Sequence, residues 1–415
     1  MRADKVIKGI SQLASPIGAG PKHGSQMSEL AITEQAAIAI ADGRVIWAGR
    51  EADWQGEARS TLDLGGRAVV PGLVDPHTHS IWAGSRLADF DARTSGVAYE
   101  DILARGGGIR STIRATNTAT TEKLVALARP RIAALVASGA TVIEVKSGYG
   151  FTPSEEIRML EAIQALALAT RARILPTLLI HVPPADREKR APYLDQLRNE
   201  LIPEVAHRGL ATAVDIFVER EAWQADEAER VLQCALQHGL AIKMHAEQFH
   251  SVGGLETALR LGACSVDHLE ASMPHQFALF SGSRTVATLL PGVSLHLGIA
   301  CAPGRKLIDA GAAVAVGTDL NPGSSPLFST ASALGLAVRL NGLTMHEALV
   351  AGTANAAHAL GLSDAGRIEA GLPADFAVLH GADWRELLYT MGANPVREVW
   401  IGGEKIHTSS LEEAL

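Results

Sequence analysis

From about residue 69 to residue 365, short apolar runs alternate with longer stretches of helical character. The apolar runs cover residues 69–74, 141–145, 173–180, 213–218, 241–244, 264–267, 294–297 and 313–316. Between them, residues 121–138, 153–170, 193–208 and 226–238 carry helix-forming side chains, and Pro130 and Pro203 are expected to kink or split two of these helices. About eight strands in β/α alternation is the count and order of a TIM-like (β/α)8 barrel. A doubly wound open sheet is the alternative, but no GxGxxG follows the first run. The chain ends read differently. Residues 5–8, 36–40 and 44–48 are short strand-like pieces, the last two separated by the hairpin signal Asp42-Gly43, and residues 15–28 read as a loop. After residue 365, strand-like pieces return at 374–379, 396–401 and 405–407. The expected organisation is a small composite β-sandwich domain from residues 1–68 and 366–415, with residues 69–365 forming the barrel.

Composition narrows the function. With 415 residues, 47% hydrophobic and 20% charged, the chain can bury a large core. A net charge of -8, with no basic run, argues against a nucleic-acid partner, so a small anionic substrate needs a local cationic clamp. Cys234, Cys264 and Cys301 are odd in number and widely spaced, as expected for reduced thiols in a cytoplasmic protein. The apolar stretches around 124–145 and 162–182 are broken by Arg and Pro and the N-terminus has no apolar signal core, so no membrane partner is expected.

The candidate chemistry lies where the strands end. In an α/β barrel, catalytic groups sit at the C-terminal strand ends and on the loops that follow. The runs here end on His77 and His79; on Glu144, Lys146 and Tyr149; on His181; on Glu219; on His245, Glu247 and Gln248; on His268; and on Asp319. His77 and His79 are two apart, so in extended backbone they face the same side and can meet one cation. Each residue alone has a plainer explanation: His181 precedes Pro183-Pro184, and Asp319 precedes the turn formers Asn321-Pro-Gly323. Apolar strands at barrel spacing would rarely all end this way by chance.

These residues, with Pro71-Gly-Leu-Val-Asp-Pro-His-Thr-His79 and the late Gly371-Leu-Pro-Ala-Asp-Phe, resemble the amidohydrolase superfamily. The resemblance implies one divalent metal ion, zinc or iron, held by His77, His79, His245 and Asp319. Binuclear members carry a carboxylated lysine on the fourth strand; residues 213–218 have none, and Lys146, on the second, is read as structural. A more specific set comprises Arg86, Tyr99-Glu-Asp-Ile, Gly106-Gly-Gly-Ile, Lys146-Ser-Gly-Tyr-Gly150, His245-Ala-Glu-Gln-Phe, Asp267-His-Leu-Glu and Asp319-Leu-Asn-Pro-Gly-Ser-Ser325. This set resembles the branch that opens 4-imidazolone-5-propanoate to N-formimidoyl-L-glutamate in histidine degradation. That implies attack of metal-bound hydroxide on the ring carbonyl, with Asp319 moving the proton and His268 polarising the carbonyl or orienting the water. Arg86 would clamp the propionate, with Tyr99, Tyr149 and His181 as further donors. Gln248 stands where some members carry Glu; an amide carries no proton at neutral pH, so it is read as substrate-binding only. Asn321, Gly323 and Ser324 would hold the ring or the product, and Glu247 is open between titrating and structural roles. The resemblance also implies a small-molecule substrate and a homodimer. The alternatives are another mononuclear amidohydrolase, a deaminase or cyclic-imide hydrolase acting on a carboxylate-bearing ring, and a non-catalytic barrel, against which the four metal ligands argue.

Overall fold

The computed structural model describes residues 1–98, 101 and 105–409. Its strands run in chain order as β1 (Arg2–Pro16), β2 (Leu30–Ala41), β3 (Arg44–Arg50), β4 (Glu57–Pro71), β5 (Leu73–Asp75), β6 (Ala140–Lys146), β7 (Arg173–Ile180) and β8 (Ala213–Val218). They continue as β9 (Ala241–Ala246), β10 (Ser265–His268), β11 (Val286–Leu289), β12 (Ala313–Val316), β13 (Phe376–Leu379), β14 (Val396–Ile401) and β15 (Glu404–Thr408). Two sheets result. A seven-stranded sheet in the order β15-β14-β13-β4-β1-β2-β3 joins the two ends of the chain, and an eight-stranded sheet runs from β5 to β12 in sequence order. This is the expected (β/α)8 barrel beside a β unit built from both chain ends.

In the terminal sheet β1 pairs parallel with β4 and antiparallel with β2. Asp42 and Gly43, both with positive φ (50° and 71°), make the turn between β2 and β3, a conformation whose twist matches that of the flanking strands. Ile7, Ile10, Ile38, Val69, Phe376 and Trp400 form its apolar core.

Every strand pairing in the barrel is parallel, and its strands read as near-continuous apolar runs because both faces are covered. The ring closes beyond the ends of β5 and β12. Thr78 bridges Leu320 in parallel, the His79 amide donates to the Leu320 carbonyl at 2.9 Å, and the Asp319 amide donates to the His77 carbonyl at 2.9 Å. The backbone of the candidate metal ligands is therefore the seam of the barrel.

Three local expectations are corrected. Residues 294–297 are not a strand but the end of helix Pro291–Leu297; the seventh barrel strand is β11, just upstream. Pro291 in the first turn explains this, since its fixed φ and missing N–H suit a helix start. Val69 and Val70 belong to β4 and pair with β13, so the first barrel strand begins at Leu73. Gly72 makes the change of sheet feasible, because a Cβ there would lie 2.2 Å from Thr141 Oγ1. Helix Thr121–Ala137 runs through Pro130 as one element. Pro203 has the expected effect: Arg190–Gln196 and Ile202–His207 are separated by the π-helical turn Leu197–Leu201, whose wider winding accommodates a proline that lacks an N–H. Among the described residues no helix is long and apolar enough to cross a membrane.

Candidate metal and active site

β5 delivers His77 and His79, β9 delivers His245, β10 ends on His268, and the turn after β12 delivers Asp319. His77 Nε2 lies 3.3 Å and His79 Nε2 3.1 Å from Asp319 Oδ1. His245 Nε2 lies 3.4 Å from His79 Nε2. The opposite ring nitrogens of two of these histidines are engaged: His77 Nδ1 meets Asp267 Oδ2 at 2.6 Å, and His245 Nδ1 meets Asp215 Oδ1 at 3.0 Å. A carboxylate at Nδ1 keeps the proton there and leaves the Nε2 lone pair facing inward. Two of the inward-facing atoms, His77 Nε2 and Asp319 Oδ1, are buried with no hydrogen bond among the described residues. Ligand atoms of His77, His79 and His245 all lie within 4.8 Å of one another. Converging lone pairs in a dry site repel one another unless a cation sits between them. Three imidazoles and one carboxylate are also donors that suit a divalent ion, with water taken as a fifth ligand. The residues present fit such an ion.

Beneath the histidines lies a belt of buried charge. Lys146 Nζ is 2.6 Å from Glu144 Oε2, 2.7 Å from Asp215 Oδ2 and 3.9 Å from Asp267 Oδ2. Lys243 Nζ lies 3.0 Å from Glu144 Oε1 and 3.5 Å from Asp267 Oδ2, and donates to the Pro76 carbonyl at 2.7 Å. Burial favours a neutral amine, but Asp215, Glu144 and Asp267 outweigh it, so the Lys146 ammonium is held above its ordinary range. Formally Glu144, Asp215, Asp267 and Asp319 carry four negative charges against the two positive charges of Lys146 and Lys243. With neutral histidines this cluster holds more negative than positive charge, which a divalent ion bound by the histidines would offset. Lys146 is thus an ammonium gripped by carboxylates, which supports its structural reading over a carbamate bridging two metals.

The belt is the part that sequence reasoning passed over. Asp215 and Lys243 stand in the sequence only as single charged residues inside otherwise apolar runs, and Asp267 only as part of a motif, signals that name no partner. Asp75 belongs with them. It accepts hydrogen bonds from Thr318 N at 3.1 Å, Thr318 Oγ1 at 2.7 Å and Thr330 Oγ1 at 3.2 Å, and burial lifts its carboxyl to about 6.

Around the histidines stand most of the expected substrate residues. The Tyr149 ring centroid lies 6.1 Å from that of His79 and 5.7 Å from that of His181, and His181 stacks on His79 at 5.7 Å. Burial, then the nearby His79, takes His181 down to about 3, so it offers a neutral imidazole. Burial also raises the Tyr149 phenol, leaving a neutral hydroxyl. Arg86 pairs through Nε with Asp89, and its Nη1 reaches Thr112 Oγ1 at 3.4 Å. The same Nη1 would be 3.2 Å from a Cβ on Gly323, so the guanidinium lies over the loop that follows Asp319. Gln248 is 8% exposed, and its amide has no hydrogen-bond partner among the described residues. His268 sits with its ring 5.3 Å from His245 and 5.8 Å from His77, and its Nδ1 is 3.5 Å from Glu270 Oε2. Tyr99 lies outside the described residues.

Other polar groups at the strand ends hold the loops. Asn321 Nδ2 donates to Asp319 Oδ2 at 2.9 Å and to the Asp319 carbonyl at 2.7 Å, while Asn321 Oδ1 accepts the amides of Gly323 and Ser324, both at 2.8 Å. Those amides are therefore engaged inside the loop, and the Ser324 hydroxyl accepts from Asn321 Nδ2 at 2.9 Å. Glu247 Oε1 accepts the Leu255 amide at 3.4 Å in the first turn of helix Gly254–Leu261, a structural use of that carboxylate. Glu219 accepts the amides of Phe249 (2.9 Å) and His250 (3.1 Å) and pairs with His250 Nδ1 (2.7 Å), which pins the loop carrying Gln248. Glu247, His268, Leu269 and Asp319 all have positive φ. Strained non-glycine backbone gathered at the strand ends is the kind that survives where surrounding structure over-determines it.

Comparison with known proteins agrees with this geometry. The sequence profile of the amidohydrolase family matches residues 68–406. An imidazolonepropionase from Deinococcus deserti is 58% identical over 97% of this chain and 100% of its own length. One from Chloroflexus aggregans is 39% identical over 98% of this chain and 99% of its own. Among solved structures, an adenosine deaminase from Xanthomonas campestris with bound zinc superposes with a TM-score of 0.72 at 19% identity, over 97% of this chain and 93% of the other. That last likeness speaks for the fold alone.

Proposed function

The chain belongs to the amidohydrolase family, and within it to the imidazolonepropionases, and from that membership we propose that it hydrolyses 4-imidazolone-5-propanoate to N-formimidoyl-L-glutamate. Full-length identity to imidazolonepropionases is the observation that carries this reading, and the four converging ligands are what the chemistry requires. His77, His79, His245 and Asp319 would hold one divalent ion, zinc or ferrous iron, since imidazole and carboxylate donors suit both. When bound, such an ion supplies a Lewis acid for a carbonyl and water of lowered pKa.

The remaining work falls to the chain's own side chains. Arg86 offers a planar fork to the propionate, which places the ring over the histidines. Tyr149 and Gln248, neutral donors, hydrogen-bond the ring and orient it. His268 lies beside His77 and His245, where it can hold the ring carbonyl oxygen. Asp319 accepts the proton of the incoming water and returns it to the departing ring nitrogen. A C–O bond forms at the carbonyl carbon, and the amide C–N bond to that nitrogen breaks. The carbonyl carbon becomes the α-carboxylate of the product, and the released nitrogen becomes the terminal nitrogen of the formimidoyl group. General acid–base assistance of this kind contributes on the order of 10²–10⁴ in rate.

The test is product identity in ¹⁸O-water. Freshly prepared substrate should lose its ultraviolet band, and mass spectrometry should find one ¹⁸O in the α-carboxylate of formimidoylglutamate. A metal-loaded sample without turnover would refute the substrate and turn attention to other carboxylate-bearing cyclic amides. We further propose a homodimer, which light scattering would read as about twice the 43.6 kDa chain; the mass of a single chain would refute it.

A further inference from the structure

We propose that Glu156 is a positioning residue that fixes Tyr149 against the substrate site by gripping the backbone on both sides of it. This rests on the ring-opening reading above and on Tyr149 as a substrate contact.

The loop after β6 carries Tyr149 between Gly148 and Gly150. Glu156, the fourth residue of helix Pro153–Leu168, is 3% exposed and turns back toward this loop. Its Oε2 accepts the Gly148 amide at 2.7 Å, and its Oε1 accepts the Gly150 amide at 2.7 Å and the Phe151 amide at 2.9 Å. Three amides flanking one tyrosine thus converge on a single carboxylate. Burial raises that carboxyl above its ordinary range, opposed by the Ser147 hydroxyl and these amides.

Several features make the grip specific. Both oxygens are used as acceptors, so an amide side chain of the same shape must turn its NH2 toward a backbone N–H on one side or the other. At Gly150 a Cβ would lie 2.5 Å from the Glu156 nitrogen and 2.9 Å from its Oε1, so only glycine lets the loop close on the helix. Gly148 has φ of 102°, and its carbonyl lies 3.3 Å from His181 Nδ1. Holding Gly148 therefore also sets a partner of His181. On the far side Phe151, with φ of 71°, stacks on Tyr193 at 5.9 Å. None of these contacts touches the metal ligands.

The experiment compares wild type, Glu156→Gln, Tyr149→Phe and the double variant, all metal-loaded, by kcat/KM and by metal content. Glu156→Gln and Tyr149→Phe should each lower kcat/KM by about tenfold, the scale of one lost hydrogen bond to a substrate. The fall should come mainly through KM, with metal content unchanged. The double variant should be no worse than the poorer single, because both changes remove the same contact. Multiplying penalties in the double variant, or an unchanged kcat/KM in Glu156→Gln, would overturn the proposal. An unchanged Tyr149→Phe would show that Tyr149 is no substrate contact and would take the proposal with it, whereas an inactive wild type would locate the failure in the ring-opening reading. Should Glu156→Gln fail to fold, Gly150→Ala forces the loop off the same carboxylate and is compared in its place. Loss of the fold in both would make Glu156 a fold determinant and overturn its positioning role.

Discussion

Replacing Lys146 by methionine probes the buried charge belt most directly. Methionine keeps much of the side-chain volume and removes the charge. Glu144 and Asp215, both fully buried, then lose a cation at 2.6 and 2.7 Å. Removing one partner of a buried ion pair costs about 3–5 kcal/mol, because the other charge stays behind uncompensated. With an unfolding entropy of about 2.1 cal/mol/K per residue over 415 residues, that is a fall of about 3–6 °C in Tm for metal-stripped protein. The metal-loaded protein should lose less. Asp215 stands behind His245, and a divalent ion held by that histidine offsets the stranded negative charge. The gap in Tm between loaded and stripped protein should therefore be wider in Lys146→Met than in wild type. Calorimetry on both proteins in both states, with metal content measured in parallel, decides the matter. Equal losses in the two states would mean that Lys146 acts by packing alone. A metal content that drops from two ions per chain to one would make it a bridging ligand and refute the charge argument.

Three further outcomes follow from the site. Asp267→Asn should release the His77 tautomer and weaken metal binding by about 10–100-fold, read by competition with a chelator; unchanged affinity would show that Asp267 does not set the ligand. Arg86→Ala should raise KM for the propanoate substrate while leaving metal content intact, and an unchanged KM would remove the guanidinium as the clamp. Asp319→Asn should abolish turnover while circular dichroism stays that of wild type; an active variant would take the proton carrier away from this residue.

The order of the barrel was legible because each strand is apolar and each is followed by helix-forming sequence. Where the pattern failed, the cause was local. β11 is four residues long and runs straight into Leu290-Pro291, so its apolar signal merged with that of the following helix. The break between β4 and β5 was hidden because Val69 to Val74 reads as one run until Gly72 carries the chain from one sheet to the other. In the site, His77, His79, His245 and Asp319 were visible because ligand-type side chains interrupt apolar strands at their ends. Their supports were not, since the pairing of His77 with Asp267 spans 190 residues and no local pattern encodes such a partner. The grip of Asn321 on the Gly323 and Ser324 amides was hidden for another reason: sequence shows which amides a loop has, but not which are already engaged.

We propose a single-metal hydrolase that opens an imidazolone ring. It is tested most directly by titrating metal-stripped protein with zinc, and separately with ferrous iron, while following loss of 4-imidazolone-5-propanoate. Turnover should be absent at the start, rise in proportion to added ion and level off at one ion per chain. Turnover in the stripped protein, or a rise that continues to two ions per chain, would contradict it.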